Sequence, residues 1–217
     1  MVRSARSLRV GLIADTHVGE FLPEMPAWVG NALEGCDLIL HAGDLSRVEA
    51  LDTLDAIAPV VAVRGDHDVG CDHLPKKAVV RLAGWSVGLL HGMRGKPIDT
   101  TIVLRQAAFG QYDWHSGLHR QLARAFGPVD AVVYGHWHVP IVERQGAMLM
   151  VSPGAVCPWG SLEGGAPPRP GRAGVADRVV RRFRDTMAPE VMEPTVAVMR
   201  VGSSGLRVQH IRVSEAA

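Results

Sequence analysis

The sequence predicts an α/β fold in which two mixed β-sheets pack face to face with helices outside, and three observations carry the prediction. Up to Val63, continuous apolar runs alternate with helical patterns, the signature of parallel strands joined by right-handed crossovers. Beyond residue 78 most runs come in pairs joined by glycine-bearing turns, which read as hairpins. Several of the unpaired runs stop on an acid or a histidine, so those side chains gather along one rim of the sheets.

Each element has its own warrant. Val10 to Ala14 is apolar throughout, as expected of a strand covered on both faces, and it ends at Asp15. Pro26 suits the first turn of a helix that carries Trp28, Val29, Ala32 and Leu33, and Gly35 suits its end. Leu38 to Leu40 is the next strand, running into His41-Ala42-Gly43-Asp44. Ser46 is expected to cap a helix through about Ile57, because Val48, Leu51, Leu54 and Ile57 repeat at helical spacing and Glu49 completes a capping box. Val60 to Val63 is the third strand. The hairpins pair Ala78 to Leu82 with Trp85 to Leu90, Val139 to Arg144 with Met148 to Val151, and Thr195 to Val201 with Leu206 to Val213, with turns at Gly84, Gly146 and Gly202 to Gly205. Val129 to Tyr134 is a further buried strand, feeding Gly135-His136.

Residues 1–217 are read as one domain with two insertions, a length that one core can serve. The first, about 93–117, is a long connection containing Tyr112, Trp114 and His115. The second, about 157–193, is a Gly/Pro-rich run followed by a helix whose Val175, Val179, Phe183 and Met187 form one stripe. Arg178, Arg181, Arg182 and Arg184 occupy the rest of that helix, which is expected to dock on the surface with solvated arginines; a lid or a dimer contact is the alternative, so a homo-oligomer stays open.

Composition narrows the function classes. Hydrophobic content of 47% with 21% charged residues is that of a soluble globular protein. Lys+Arg 23 against Asp+Glu 22 gives a net charge of +1, too little to steer long polyanions, so a long nucleic acid is disfavoured as a partner. Cys36, Cys71 and Cys157 are far apart and form no Cys-x-x-Cys pair, which argues against a thiolate zinc site and fits a reducing cytoplasm. The apolar run behind Arg3, Arg6 and Arg9 is too short for a signal-peptide core, and no stretch approaches a membrane span.

The chemistry lies at the strand ends. Asp15-Thr-His17 projects two ligand types to one side of a strand exit, and Gly43-Asp44 offers a carboxylate able to bridge two cations above a glycine that permits close approach. Gly65-Asp66-His67-Asp68 concentrates three ionisable groups in one turn, which without metal or mutual pairing would be costly to bury. There His67 is the candidate general acid, Asp66 a candidate ligand, and Asp68 the residue expected to orient the imidazole. His91-Gly92 adds a nitrogen donor, and Gly135-His136-Trp137-His138 alternates two imidazoles across a tight turn so that they address two different ions. Each motif alone is a common turn or cap; the set is specific.

In that order the motifs resemble the calcineurin-like metallophosphoesterases, above all their compact single-domain phosphodiesterase branch, over residues 15 to 138. Ser152-Pro153-Gly154 and the last hairpin are similar to that branch's C-terminal part. The resemblance implies a four-layer α/β-β/α sandwich, with Asp15, His17 and His138 on one divalent ion, Asp66, His91 and His136 on another, and Asp44 bridging. It implies a shared hydroxide between ions about 3.5 to 4 Å apart attacking a small phosphorylated substrate in line, with His67 helping the leaving group depart. Manganese, iron or zinc suits the mixed donors, manganese being favoured. His41, His73, His115, His119 and His210 match no family ligand and are read as structural or surface residues.

One position departs from the pattern: the family carries Asn where this chain has Asp66. An extra carboxylate strengthens metal binding and weakens the ion's pull on water, so slower catalysis is expected. The retromer phosphoesterase-like subunit, a non-catalytic relative, also has Asp there but lacks the histidine that follows. Retention of His67 therefore favours an enzyme hydrolysing phosphodiesters or other small phosphate esters, with a metal-binding interaction scaffold as the alternative.

Overall fold

The computed structural model describes residues 7–110, 117–158, 179, 182, 183 and 185–216. Strands β1 (Leu8–Ile13), β2 (Leu38–His41) and β3 (Val60–Ala62) are parallel and are linked through helices α1 (Ala27–Leu33) and α2 (Ala50–Asp55). The sheet they begin is completed by the closing hairpin, β9 (Thr195–Gly202) and β10 (Gly205–Arg212), in the order β10-β9-β1-β2-β3. The second sheet, ordered β4-β5-β6-β8-β7, consists of β4 (Lys77–Leu82), β5 (Trp85–Leu90), β6 (Ala131–Val133), β7 (Pro140–Gln145) and β8 (Met148–Pro153). Both sheets are mixed: β9 lies antiparallel to β1, whereas β6 is parallel to β5 and β8 within two antiparallel hairpins.

Alternation along the strands builds the layers. Val10, Leu12 and Ala14 meet Val87, Leu89, Val133 and Val151 between the sheets, all fully buried. Ile13, Ile39, Val196 and Val198 face the other way onto Val29, Leu33 and Leu54 of α1 and α2. On the far side of the second sheet, Val132, Tyr134 and Met150 pack with Trp137, Leu122 of α4 (Leu118–Ala125) and Phe183. Burying these faces at about 25 cal/mol per Å² of apolar surface is what holds the four layers together.

Two expectations need correction. Ser46 caps no helix: its φ of 66° is left-handed, so α2 starts only at Ala50, and its N-cap Glu49 makes no side-chain bond. The stretch 93–117 carries the helix α3 (Lys96–Phe109), opened by Pro97 and closed at Gly110, whose φ is 64°. It escaped the apolar reading because its buried positions are Asp99, Gln106 and Ala107, hardly a hydrophobic stripe. Arg182, exposed as expected, also donates from Nε to the carbonyl of Ala107 at 2.7 Å, and Gln106 donates to Thr186 at 2.6 Å, so the two insertions are bonded together.

Residues 179, 182, 183 and 185 are helical, Phe183 is fully buried, and Val179 and Met187 pack beside it, in keeping with the expected stripe. Val175, Arg178, Arg181 and Arg184, like Tyr112, Trp114 and His115, lie outside the described residues.

Candidate metal centre

The carboxyl ends of β1, β2, β3, β5 and β6 open on one rim, and the loops leaving them are laced together by backbone hydrogen bonds. Asp15 and His17 donate their N–H groups to the carbonyls of Gly43 and Asp44, each at 3.0 Å, and Gly135 donates to His91 at 2.9 Å. Asp68 gathers three more: its carboxylate accepts the N–H groups of Asp44 (3.0 Å), Ser46 (2.7 Å) and Gly65 (2.7 Å). Its task is thus to hold two loops in place, and among the described residues its carboxylate bonds to backbone and to no imidazole, contrary to the expectation.

This rim is conformationally strained. Asp15, His17, Asp44, His136 and His138 all have left-handed backbone, with φ between 47° and 76°. Each such residue costs on the order of 1 kcal/mol or more, and clusters of them mark functional sites. Two glycines of ordinary φ are required by the carboxylates: a Cβ at Gly65 would run into the Asp44 side chain, and one at Gly135 would come within 2.8 Å of Asp15 Oδ2.

Three groups of donors result. His17, Glu20 and His67 form one; of the other two, Asp15, His17 and His138 form the first and Asp44, Asp66, His91 and His136 the second, with one donor atom per residue lying within 4.8 Å of the rest of its group. Asp44 joins these last two. Its Oδ2 is 3.2 Å from His91 Nε2 and 3.7 Å from His17 Nε2, and neither of those buried nitrogens has a hydrogen-bond partner. Oδ1 of the same carboxylate accepts the N–H of His67 at 3.0 Å. Asp66 Oδ1 lies 3.2 Å from His91 Nε2 and 3.3 Å from His136 Nδ1.

Outer partners aim the imidazoles. His91 Nδ1 donates to the carbonyl of Ala42 at 2.9 Å, which turns Nε2 toward Asp44. His136 Nε2 is 3.2 Å from Asp99 Oδ2 on α3, so Nδ1 is the atom left for Asp66. His17 Nδ1 contacts Ser46 Oγ at 3.3 Å; that hydroxyl donates to Glu20 Oε2 at 2.6 Å, and His67 Nδ1 lies 3.0 Å from both Glu20 oxygens. Carboxylate or carbonyl partners of this kind are what orient metal-binding histidines. Trp137, between the two histidines of its motif, is buried on the opposite side and anchors their turn, with the Arg94 guanidinium 5.2 Å from its ring centre.

The electrostatics call for positive charge. Burial opposes ionisation of Asp44 and Asp66, yet the imidazole of His91 beside Asp44, and those of His136 and His91 beside Asp66, hold both well below the usual carboxylate range. Burial works against the imidazolium forms of His91 and His136 too, but these carboxylates push both upward. In the other group burial dominates: it raises Asp15 to about 7 and lowers His17 and His138, keeping their imidazoles neutral. The neutral imidazoles of one group, and in the other the carboxylates whose negative charge a cation would balance in place of protons on His91 and His136, are donors that fit a divalent cation in each, and the inward nitrogens of His17 and His91 agree with that fit.

All eight singled-out residues, Asp15, His17, Asp44, Asp66, His67, His91, His136 and His138, therefore meet on this rim. Glu20, Ser46 and Asp99 join the site without a signal in the sequence: the pattern at Ser46 is that of a helix cap, and Asp99 stands in an insertion with no strand ahead of it. His41, read as structural, is fully buried, accepts the Gly43 N–H at 3.1 Å and donates to Thr16 Oγ1 at 3.2 Å. His119 and His210 likewise bond away from the rim, to Tyr134 and to the Ser152 carbonyl. His115 lies outside the described residues.

Comparison with known proteins agrees with this geometry. Residues 8–166 match the calcineurin-like phosphoesterase superfamily domain. A protein named a probable metallophosphoesterase from Methanocaldococcus jannaschii is 30% identical over 160 residues, 72% of this chain and 74% of that protein. One of the same name from Methanothermobacter thermautotrophicus is 30% identical over 148 residues, 67% of this chain and 76% of its own. Among solved structures, vacuolar protein sorting 29 from Cryptosporidium parvum shares the fold at a TM-score of 0.60 and 18% identity, covering 95% of this chain and 97% of its own. A zinc complex of the Entamoeba histolytica counterpart aligns at a TM-score of 0.51 and 19% identity, covering 95% and 99%.

Proposed function

Because the chain belongs to the calcineurin-like phosphoesterase superfamily, we propose that it hydrolyses small phosphate esters, diesters foremost, using two divalent cations. Asp15, His17 and His138 hold one ion, Asp66, His91 and His136 the other, and Asp44 is shared. The observation that carries the reading is the single Asp44 Oδ2 lying between the bare Nε2 atoms of His17 and His91. Bound there, divalent cations supply Lewis acidity, which polarises a phosphoryl group and lowers the pKa of water. Mixed carboxylate and imidazole donors suit manganese, iron or zinc, and manganese is the first to test.

The remaining chemistry belongs to the protein. Water is the nucleophile in this reading, since the described residues of the rim offer no activated alternative. Burial pushes the Cys157 thiol up to about 12, and the Ser46 hydroxyl is committed to Glu20. His67 is the acid: with Nδ1 held by Glu20, Nε2 is left to give a proton to the departing oxygen. The three cysteines are free and buried, which supports a reducing, cytoplasmic setting. No helix among the described residues is long and apolar enough to cross a membrane.

The test is hydrolysis of bis(p-nitrophenyl) phosphate across manganese, iron and zinc. Activity that needs added metal and collapses in His67→Ala is expected; full activity in that variant, or none in the wild type with every metal, refutes the mechanism. A second reading, an interaction scaffold, draws support from Asp66 and from the fold neighbours, one of which was solved with a cyclic peptide. The built His67–Glu20 pair favours the enzyme, because a scaffold has no use for an oriented proton donor.

A further inference from the structure

Two cavities flank Asp66. One, of about 440 Å³, lies on the His67 side and is lined also by Ser46, Arg47 and Lys96. The other, of about 410 Å³, lies on the His91 side against Leu90, Val69 and Met93. A phosphate held over Asp44 and Asp66 thus has room for a substituent on each side, and His67 marks the side from which the leaving group departs.

The two cavities differ in their basic side chains: on the His91 side Arg64 is paired with Asp72 and Lys76 is the one further cation among the described residues of the wall. In the His67 cavity the Glu20 carboxylate is turned onto Ser46 and His67, while Arg47 and Lys96 form no ion pair or hydrogen bond among the described residues. They arrive from separate places, Arg47 from the loop after β2 and Lys96 from the first position of α3. The outer end of Arg47, Cδ through the guanidinium carbon, lies against Gly19, which has no side chain to displace it from the cavity wall.

A neutral alcohol or phenol would gain nothing from two uncommitted cations beside the departing oxygen. A leaving group bearing its own phosphate would be held by both and, in flight, stabilised by both. Resting on the phosphoesterase reading above, we propose that the preferred substrates are diphosphate diesters, whose leaving group is a phosphate monoester gripped by Arg47 and Lys96, with the retained half in the His91 cavity. A bond forms from the water oxygen to the attacked phosphorus, and the bond from that phosphorus to the bridging oxygen breaks. The bridging oxygen leaves on the second phosphate and takes the proton of His67. The attacking water loses a proton to solvent, from which His67 regains its own. Diadenosine diphosphate and water would give two molecules of AMP.

The experiment compares kcat/KM for diadenosine diphosphate and bis(p-nitrophenyl) phosphate in wild type and in the Arg47→Gln/Lys96→Gln double variant, both residues being exposed. The wild type is expected to favour the diphosphate, and the ratio of the two values to fall at least about tenfold in the double variant. Calorimetric titration with AMP, which needs no turnover, should show affinity weakened by about the same factor. A wild type that cleaves only bis(p-nitrophenyl) phosphate, or an unchanged ratio with unchanged AMP affinity, overturns the leaving-group assignment and leaves the phosphoesterase standing. Failure to cleave either compound with any of the three metals overturns both.

Discussion

Glu20 holds His67 through both carboxylate oxygens, each 3.0 Å from Nδ1. The Ser46 hydroxyl and the charge of His67 keep Glu20 below the usual carboxylate range against the effect of burial, so it meets the imidazole as an anion. Replacing it by glutamine keeps the shape and removes the charge. Glu20→Gln is expected to lower kcat about tenfold to hundredfold with little change in KM. The pH–rate profile of bis(p-nitrophenyl) phosphate hydrolysis checks this, because a merely structural role would leave its acid and base limbs where they were.

Asp99 reaches His136 from outside the rim, 3.2 Å from Nε2, while Arg94 secures it at 3.0 Å. Without it the ring is free to turn and Nδ1 loses its aim. Asp99→Ala should weaken metal binding at the Asp66 group about tenfold to hundredfold and leave the Asp15 group's affinity near that of the wild type. Stepwise manganese titration by calorimetry resolves the two.

Asp66 brings one more negative charge than the asparagine usual at this position. Asp66→Asn is expected to weaken metal binding while raising turnover at saturating manganese. Steady-state kinetics at several metal concentrations test both halves, and an unchanged turnover would remove the damping argument.

Gly65 lies against the Asp44 side chain with no room for a methyl group. Gly65→Ala should therefore destabilise the fold by about 1 to 3 kcal/mol and abolish tight metal binding together, as Asp44 is displaced. Urea denaturation paired with metal titration measures the two effects on one sample.

His41 supplies a pH test. Burial lowers it from 6.5 to about 3, and its accepted bond from Gly43 requires the neutral ring. The folded value lies below the unfolded one, so this contribution is complete above about pH 6.5 and is lost as the pH falls toward 3. The stability advantage of wild type over His41→Asn should shrink across that interval in urea titrations of metal-free protein; a constant difference would rule the coupling out.

The strands were legible because burial on two faces writes long apolar runs, and the donors because each closes such a run: Asp15 after β1, Asp44 after β2, His91 at the end of β5. What stayed hidden had no such signal. Ser46 fitted a capping box on paper, but its bond to Asp68 twists it into a left-handed turn that no local pattern announces. Asp99 lies on a helix whose inner face is partly polar, and its partner His136 is far along the chain. The role of Asp68 was misjudged because proximity in sequence to His67 suggested a side-chain contact, whereas its bonds go to backbone.

The left-handed turns at Asp15, His17, Asp44, His136 and His138 also set an order of failure. Several kilocalories of distortion are concentrated at the mouth of the sandwich, so that mouth has the smallest reserve against denaturant. As urea rises, the protein should go catalytically silent while the β-sheet signal in circular dichroism is still intact, and divalent ions, which grip only the distorted form, should draw the two transitions together.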